Sequence, residues 1–286
     1  MSRCVCIVTG ASRGIGRGIA LVLARDAGCV VYATARSLDA LESLKEEVVR
    51  GGENAGEASG ELIPAVVDHT DDAAMTAFVD RVVQERGSMQ LLVNNAYGGV
   101  GPLTEHFGEA FFEKPIAIWD ASHIVGLRSH YVMSVLVARH MVKRGDGGLI
   151  VNVSSGGGLS YLFDTAYGCG KAALDRLGAD MAEELEDHGV HVVTLWPGAV
   201  RTETTDFPNA ESVELAGRCV AALVRQATSA QLNQMNGKVV QTAELGLLFG
   251  FTDVDGNLPG RSMQRRLRVE MASPPVQWTY EPSAKL

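Results

Sequence analysis

Three things are scarce in this 286-residue chain. Aromatic residues supply only 6% of it. No run of apolar residues reaches the roughly 18 that a membrane helix needs. Positive charge is outnumbered, with 25 Lys and Arg against 34 Asp and Glu, for a net charge of −9. That balance argues against a nucleic-acid partner or an anionic membrane surface. The first apolar run, CVCIVTG, is too short for a secretory leader and opens into a glycine turn, so a cytoplasmic protein is expected. Cysteines are few and odd in number: Cys4, Cys6, Cys29, Cys169 and Cys219, with no CxxC pair. Cys4 and Cys6 are expected to fall on opposite faces of a strand, so the five are read as free thiols in a reducing compartment, and no metal site is expected.

What is present is enough for a large core, since 46% of the residues are hydrophobic. No Pro/Ser-rich linker divides the chain, which is read as one domain over 1–286. Short β-branched runs alternate with helical patterns. CVCIVT, CVVYAT, ELIPAVVD, LLVNN, GLIVNVSS, HVVTLWPG and GKVVQ read as strands. Gly14–Ala27, Leu38–Arg50, Asp71–Arg86, Ile118–Lys143 and Thr165–Asp187 read as helices. Near-continuous apolar strands separated by helices predict an α/β fold: a doubly wound, Rossmann-type parallel sheet of about seven strands with helices on both faces. Ligands of such sheets bind at the carboxyl ends of the strands.

The residues at those ends carry the chemistry. TGASRGIG, Thr9–Gly16, follows the first strand and opens a helix, the setting in which a backbone turn and a helix N-terminus hold a pyrophosphate. Where an NAD site carries an acidic residue, this chain has Arg36, with Arg13 inside the turn. Two guanidiniums suit a ribose 2′-phosphate, so NADP(H) is preferred over NAD(H). Asp68 closes the third strand and can accept from an adenine amino group. Asp71 and Asp72 are read as helix caps. Asn94 and Asn95 are placed to brace the sheet edge. Ser154 and Ser155 end the fifth strand, and the glycines after them are read as room for something to approach; no G-x-S-x-G elbow supports a hydrolase. Tyr167 and Lys171 lie one helical turn apart. An ammonium there favours the phenolate and draws the tyrosine towards useful proton transfer. Pro197, Gly198 and Thr202 form a turn whose free backbone groups and hydroxyl can hold a carboxamide; Thr202 could equally cap a helix.

In this order the TGASRGIG turn, NNA, the serine strand, Tyr-x-x-x-Lys and the Pro-Gly turn resemble the short-chain dehydrogenase/reductase family, over residues 3 to 245. The resemblance implies catalytic roles for Ser155, Tyr167 and Lys171. It implies cofactor contacts from Thr9, Gly10, Ser12, Arg13, Gly14, Ile15 and Gly16, then Arg36, Asp68, Asn94, Asn95 and Ala96. Tyr167, Lys171, Pro197, Gly198, Val200 and Thr202 complete that set. Three departures stand out. Gly126 replaces a family Asn that relays protons to the lysine, so a water or another residue must substitute. Tyr97 replaces the glycine of NNAG. Ser155 lies one residue nearer Tyr167 than is usual, a spacing that Ser154 would restore.

The expected activity is NADPH-dependent reduction of a ketone or aldehyde, steroid- or xenobiotic-like, with Tyr167 as proton donor. Substrate shape is assigned to residues 97–118 and 203–236, and 250–286 forms a tail. A homodimer or homotetramer is expected. The alternatives are a non-catalytic NADP(H)-binding sensor or scaffold, and an NAD-linked alcohol dehydrogenase.

Overall fold

The computed structural model describes residues 3–52 and 60–258. Its centre is a sheet of β1 (Val5–Thr9), β2 (Val30–Ala35), β3 (Glu61–Val66), β4 (Leu91–Asn94), β5 (Gly148–Val153), β6 (Val190–Trp196) and β7 (Val239–Gln241). All seven strands run parallel in the order β3-β2-β1-β4-β5-β6-β7. The chain winds outward from β1 in one direction and from β4 in the other. That switch leaves a crevice between the carboxyl ends of β1 and β4, where no crossover helix closes the edge.

Both faces are covered, which is why β1, β2 and β4 are buried along their whole length. On one face lie α1 (Gly14–Arg25), α2 (Leu38–Gly52), α8 (Val213–Arg225) and α10 (Thr242–Phe249), with Ile19, Leu23, Leu41, Leu44, Val220 and Leu245 in one core. On the other lie α3 (Asp72–Arg86), α6 (Ser129–Arg144) and α7 (Thr165–Glu184), with Met75, Val79, Met133, Val137 and Ala182 in a second core. The short helices α4 (Val100–Glu105), α5 (Ala117–His123) and α9 (Ser229–Met235) complete the set. Among the described residues no helix is long and apolar enough to cross a membrane.

Three sequence expectations change here. The helix read over Ile118–Lys143 is interrupted by a π-helical turn at Ile124–Arg128, between α5 and α6. Such turns insert one extra residue and break the 3.6-residue register locally, which apolar spacing does not reveal. Asp71 caps α3 through Ala73 and Ala74, but Asp72 instead pairs with Arg128 at 2.7 Å. Cys4 and Cys6 lie on one face, Cys6 within the first core and Cys4 packed against it; residues two apart on a strand share a face. Of the tail expected over 250–286, residues 259–286 lie outside the described residues.

Candidate active site

The crevice is framed first by backbone. Thr9 is buried at the end of β1, and its Oγ1 accepts from the amides of Asn95 at 2.9 Å and Ala96 at 3.0 Å. Asn95 Nδ2 returns bonds to the carbonyls of Thr9 at 2.9 Å and Gly10 at 3.0 Å. A methyl group at Gly16 would collide with that amide and with the Gly10 carbonyl, so the turn closes this tightly only with glycine there. Asn94 faces the opposite way, donating to Ser134 and to Asn152 of β5. The two asparagines thus brace β1, β4 and β5. Ser12 and Ile15 sit half-buried along the turn.

The first amide of α1 already holds an anion: Gly14 N donates to a Glu203 carboxylate oxygen at 3.3 Å. A helix N-terminus of this kind can hold an anionic group such as a phosphate. Arg13 and Arg36 are exposed, and neither forms an ion pair among the described residues. Asp68 lies two residues beyond β3 rather than closing it. Its Oδ1 accepts from the amide and hydroxyl of Thr70, and these bonds, with Arg36 adding to them, hold the carboxyl below its usual range.

Around β5 and α7 the construction passes to side chains. Ser154 turns inward to the Lys171 carbonyl at 3.4 Å. Ser155 caps the short turn Gly156–Gly158, accepting from Gly157 N at 3.2 Å, and faces the Tyr167 phenol. The strand therefore presents Ser155, not Ser154. The glycines behind it are not open space. A Cβ on Gly157 would lie 2.6 Å from the Tyr167 ring, and one on Gly158 2.7 Å from the Ala172 amide. They let α7 pack close rather than admit a ligand.

Asp164 caps α7 through Tyr167 N at 2.8 Å, and its second oxygen accepts from Lys114 Nζ at 3.1 Å in a buried ion pair. Phe163, just before it, has a left-handed φ of 66°, and its ring meets Tyr167 edge-on. Lys171 Nζ donates to the Val153 carbonyl at 3.1 Å. Burial lowers its pKa to about 8, with Asp175 opposing. Burial raises the Tyr167 pKa, opposed by a hydrogen bond from Ser155 and aided by Asp175. The sequence reading has the lysine pulling the phenol down. Here Nζ lies over the tyrosine ring, 5.8 Å from its centre, and is engaged with Val153, so burial prevails. Tyr167 is a protonated phenol at neutral pH.

The departures at Tyr97 and Gly126 prove to be one feature. A Cβ on Gly126 would lie 2.6 Å from Cδ2 of Tyr97. The aromatic ring therefore fills the space into which a side chain at 126 would project. It stands edge-on to Tyr167, with centroids 5.9 Å apart, and Lys171 Nζ lies 5.3 Å from its centre. Its hydroxyl is 3.1 Å from Ser122 Oγ. The π turn carries Gly126.

After β6 the Pro197-Gly198 turn is less free than its residues suggest. The Gly198 amide faces the buried Glu211 carboxylate, which also accepts from Thr242 at 2.7 Å. Burial pushes Glu211 up to about 7, against those two bonds. Glu211 also pairs through its backbone with Ala199 and Arg201, so Val200 is buried in a small bridge. Thr202 caps no helix. It bonds within its own loop to Thr204 and Thr205, and Ser212 caps α8.

Sequence reasoning missed Lys114, Glu203 and Glu211, which meet their partners only through the fold. Asp164 left a signal, standing three residues before Tyr167 as an N-cap should.

Residues 4–212 match the family model described as short chain dehydrogenase. The chain is 44% identical over 273 residues to dehydrogenase/reductase SDR family member 1 of Mus musculus, covering 88% of this chain and 83% of the relative. It is 29% identical over 197 residues to 7alpha-hydroxysteroid dehydrogenase of Escherichia coli K12, covering 69% and 71%. Among solved structures, a metagenomic short-chain oxidoreductase in complex with NADP superposes with a TM-score of 0.68 at 31% identity, covering 84% of this chain and 98% of that one. With the sheet order, the crevice and these matches in agreement, the chain belongs to the short-chain dehydrogenase/reductase family of oxidoreductases.

Proposed function

We propose that the protein reduces a carbonyl group with NADPH. The observation that carries this reading is the meeting of Ser155, Tyr167 and Lys171 beside a turn whose helix amide already donates to a carboxylate. Thr9, Gly10, Ser12, Gly14, Ile15 and Gly16 would hold the pyrophosphate, and Arg13 and Arg36 the 2′-phosphate. Asp68, Asn95 and Ala96, with Pro197, Gly198, Val200 and Thr202, would flank the rest of the cofactor, while the buried Asn94, expected among these contacts, only braces the sheet. The NADP-bound relative lends the same support.

The bound cofactor would supply the hydride that reaches the carbonyl carbon. Tyr167, kept protonated by burial, gives its proton to the carbonyl oxygen as negative charge grows there. Ser155 donates a hydrogen bond to that same oxygen and orients it. Lys171 stabilises the phenolate that remains and can bond a ribose hydroxyl. Tyr97 keeps both groups in place where the family asparagine is missing. The substrate is a bulky apolar ketone or aldehyde. Phe111, Phe112 and Ile116 are exposed on the segment that Lys114 ties to the start of α7, and Tyr161 is exposed four residues before that helix.

The proposal extends to one domain over 1–286, cytoplasmic and self-associating as a dimer or tetramer. Exposed Trp119, Ile124 and Tyr131 line a groove of about 620 Å³ between α5–α6 and α7, to which neither Ser155, Tyr167 nor Lys171 contributes. Light scattering on the purified protein tests the assembly. For the activity, NADPH absorbance is followed with a panel of aldehydes, ketones and quinones. Loss of absorbance with at least one bulky carbonyl is expected. Tight NADPH binding with no turnover on any of them favours the scaffold instead, and faster alcohol oxidation with NAD favours the dehydrogenase.

A further inference from the structure

At the end of the strands opposite the active site, the amino ends of β1 and β2 bring three thiols together. Cys4 and Cys6 are separated by about 6.6 Å of strand, yet their sulfurs approach to 3.7 Å. Both side chains therefore lean towards one point. Cys29, immediately before β2, supplies a third sulfur, and all three Sγ atoms lie within 4.8 Å of one another. The backbone fixes this arrangement. Val30 N donates to the Cys4 carbonyl at 2.9 Å, Cys29 N to Leu23 at 3.0 Å, and Glu61 N to the Cys29 carbonyl at 2.9 Å. Cys6 and Cys29 are buried, while Cys4 is partly exposed and forms the entrance.

A cluster packed only as small apolar groups has no need of a cation. Here Arg225 from α8, anchored on the Ala27 carbonyl at 2.9 Å, directs Nη2 to the Cys29 sulfur at 3.7 Å. The thiolate is the form that ligates metals. The cluster contains sulfur donors alone, and soft thiolate sets select soft ions. With metal–sulfur bonds of about 2.3 Å, a trigonal site sets its sulfurs ~4.0 Å apart, within the spacing found.

We propose that Cys4, Cys6 and Cys29 form a three-thiolate binding site for a soft, thiophilic d¹⁰ metal ion such as Cu(I) or Cd(II). Among the described residues no fourth Cys, His, Asp or Glu joins the group, so zinc, which favours four ligands, binds more weakly. Arg225 offsets part of the negative charge that three thiolates leave on such a complex. The site lies at the far end of β1 from the dinucleotide turn and does not compete with cofactor.

The test is anaerobic titration of the full-length reduced protein with Cd(II), read by sulfur-to-cadmium charge-transfer absorbance. One equivalent should saturate the band, raise the melting temperature and resist displacement by equimolar Zn(II). Cys29→Ser should lose the band, while Cys169→Ser, at an exposed and solitary thiol, should keep it. Cys4→Ala, at the partly exposed position, should lose it too and serves if Cys29→Ser does not fold. No band at one equivalent overturns the proposal. So does a band that survives both Cys29→Ser and Cys4→Ala, that vanishes with Cys169→Ser, or that equimolar Zn(II) removes.

Discussion

The two halves of the crevice are built from different materials. Around β1 and β4 the walls are backbone: a threonine hydroxyl and an asparagine amide tie two turns together, and glycine is needed where a methyl group would strike the main chain. Around β5 and α7 the walls are side chains: a serine, two tyrosines and a phenylalanine arranged about a buried lysine. A backbone wall accepts few residue types and so leaves a readable motif. A side-chain wall can be filled in several ways, provided that the volumes match. Tyr97 and Gly126 are such an exchange, one gaining the bulk that the other lacks.

The strongest test of the side-chain half is Tyr167→Phe, which keeps the ring and its edge-on contacts while removing the proton. Turnover should fall by ~10²-fold or more with NADPH affinity unchanged, as measured by steady-state assay and fluorescence titration. Near-parental turnover would move proton donation to another group.

In the backbone half, the proposed preference for NADPH rests on the exposed guanidiniums of Arg13 and Arg36. Arg36→Asp should cost NADPH binding about 1.5–3 kcal/mol, the worth of a hydrogen bond to a charged group, and leave NADH affinity no worse. Titration of both cofactors decides it, and equal affinities in the parent protein would remove the argument for NADP(H).

Gly126→Asn tests the exchange itself. The new side chain must displace the Tyr97 ring, an overpacking cost of about 1–3 kcal/mol, visible as a lower melting temperature and slower turnover. Adding Tyr97→Gly should recover much of both. A single variant as stable and active as the parent, or a double variant no better than the single, would show that the two positions are independent.

The smallest effect is expected at Glu203, whose carboxylate occupies the Gly14 amide where a phosphate would bind. Glu203→Gln should tighten NADPH binding by ~2–5-fold, the scale of an exposed charge contact, with kcat unaltered. Weaker binding in the variant would mean that Glu203 helps to hold the cofactor.

Much of this architecture is legible in the residue order because it depends on local periodicity and on backbone needs. Apolar runs give the strands, and TGASRGIG and Tyr-x-x-x-Lys lie within a turn or two of chain. Apart from the faces of Cys4 and Cys6, the misreadings share a cause. The extra residue of the π turn at Ile124–Arg128 hides within an otherwise helical pattern. The Gly198 amide looks free until Glu211, thirteen residues on, returns beneath it. Lys114 reaches Asp164 across fifty residues. The cysteines show the same division. Strand period, rightly applied, places Cys4 and Cys6 on one face and not on the opposite faces expected, but their meeting with Cys29 and Arg225 required β2 and α8 to pack beside β1. Residue order specifies what each segment does with its own backbone. Pairings between distant side chains were decided only by packing, because their free energy depends on desolvation and close contact that do not exist until the sheet and its two helical layers have assembled.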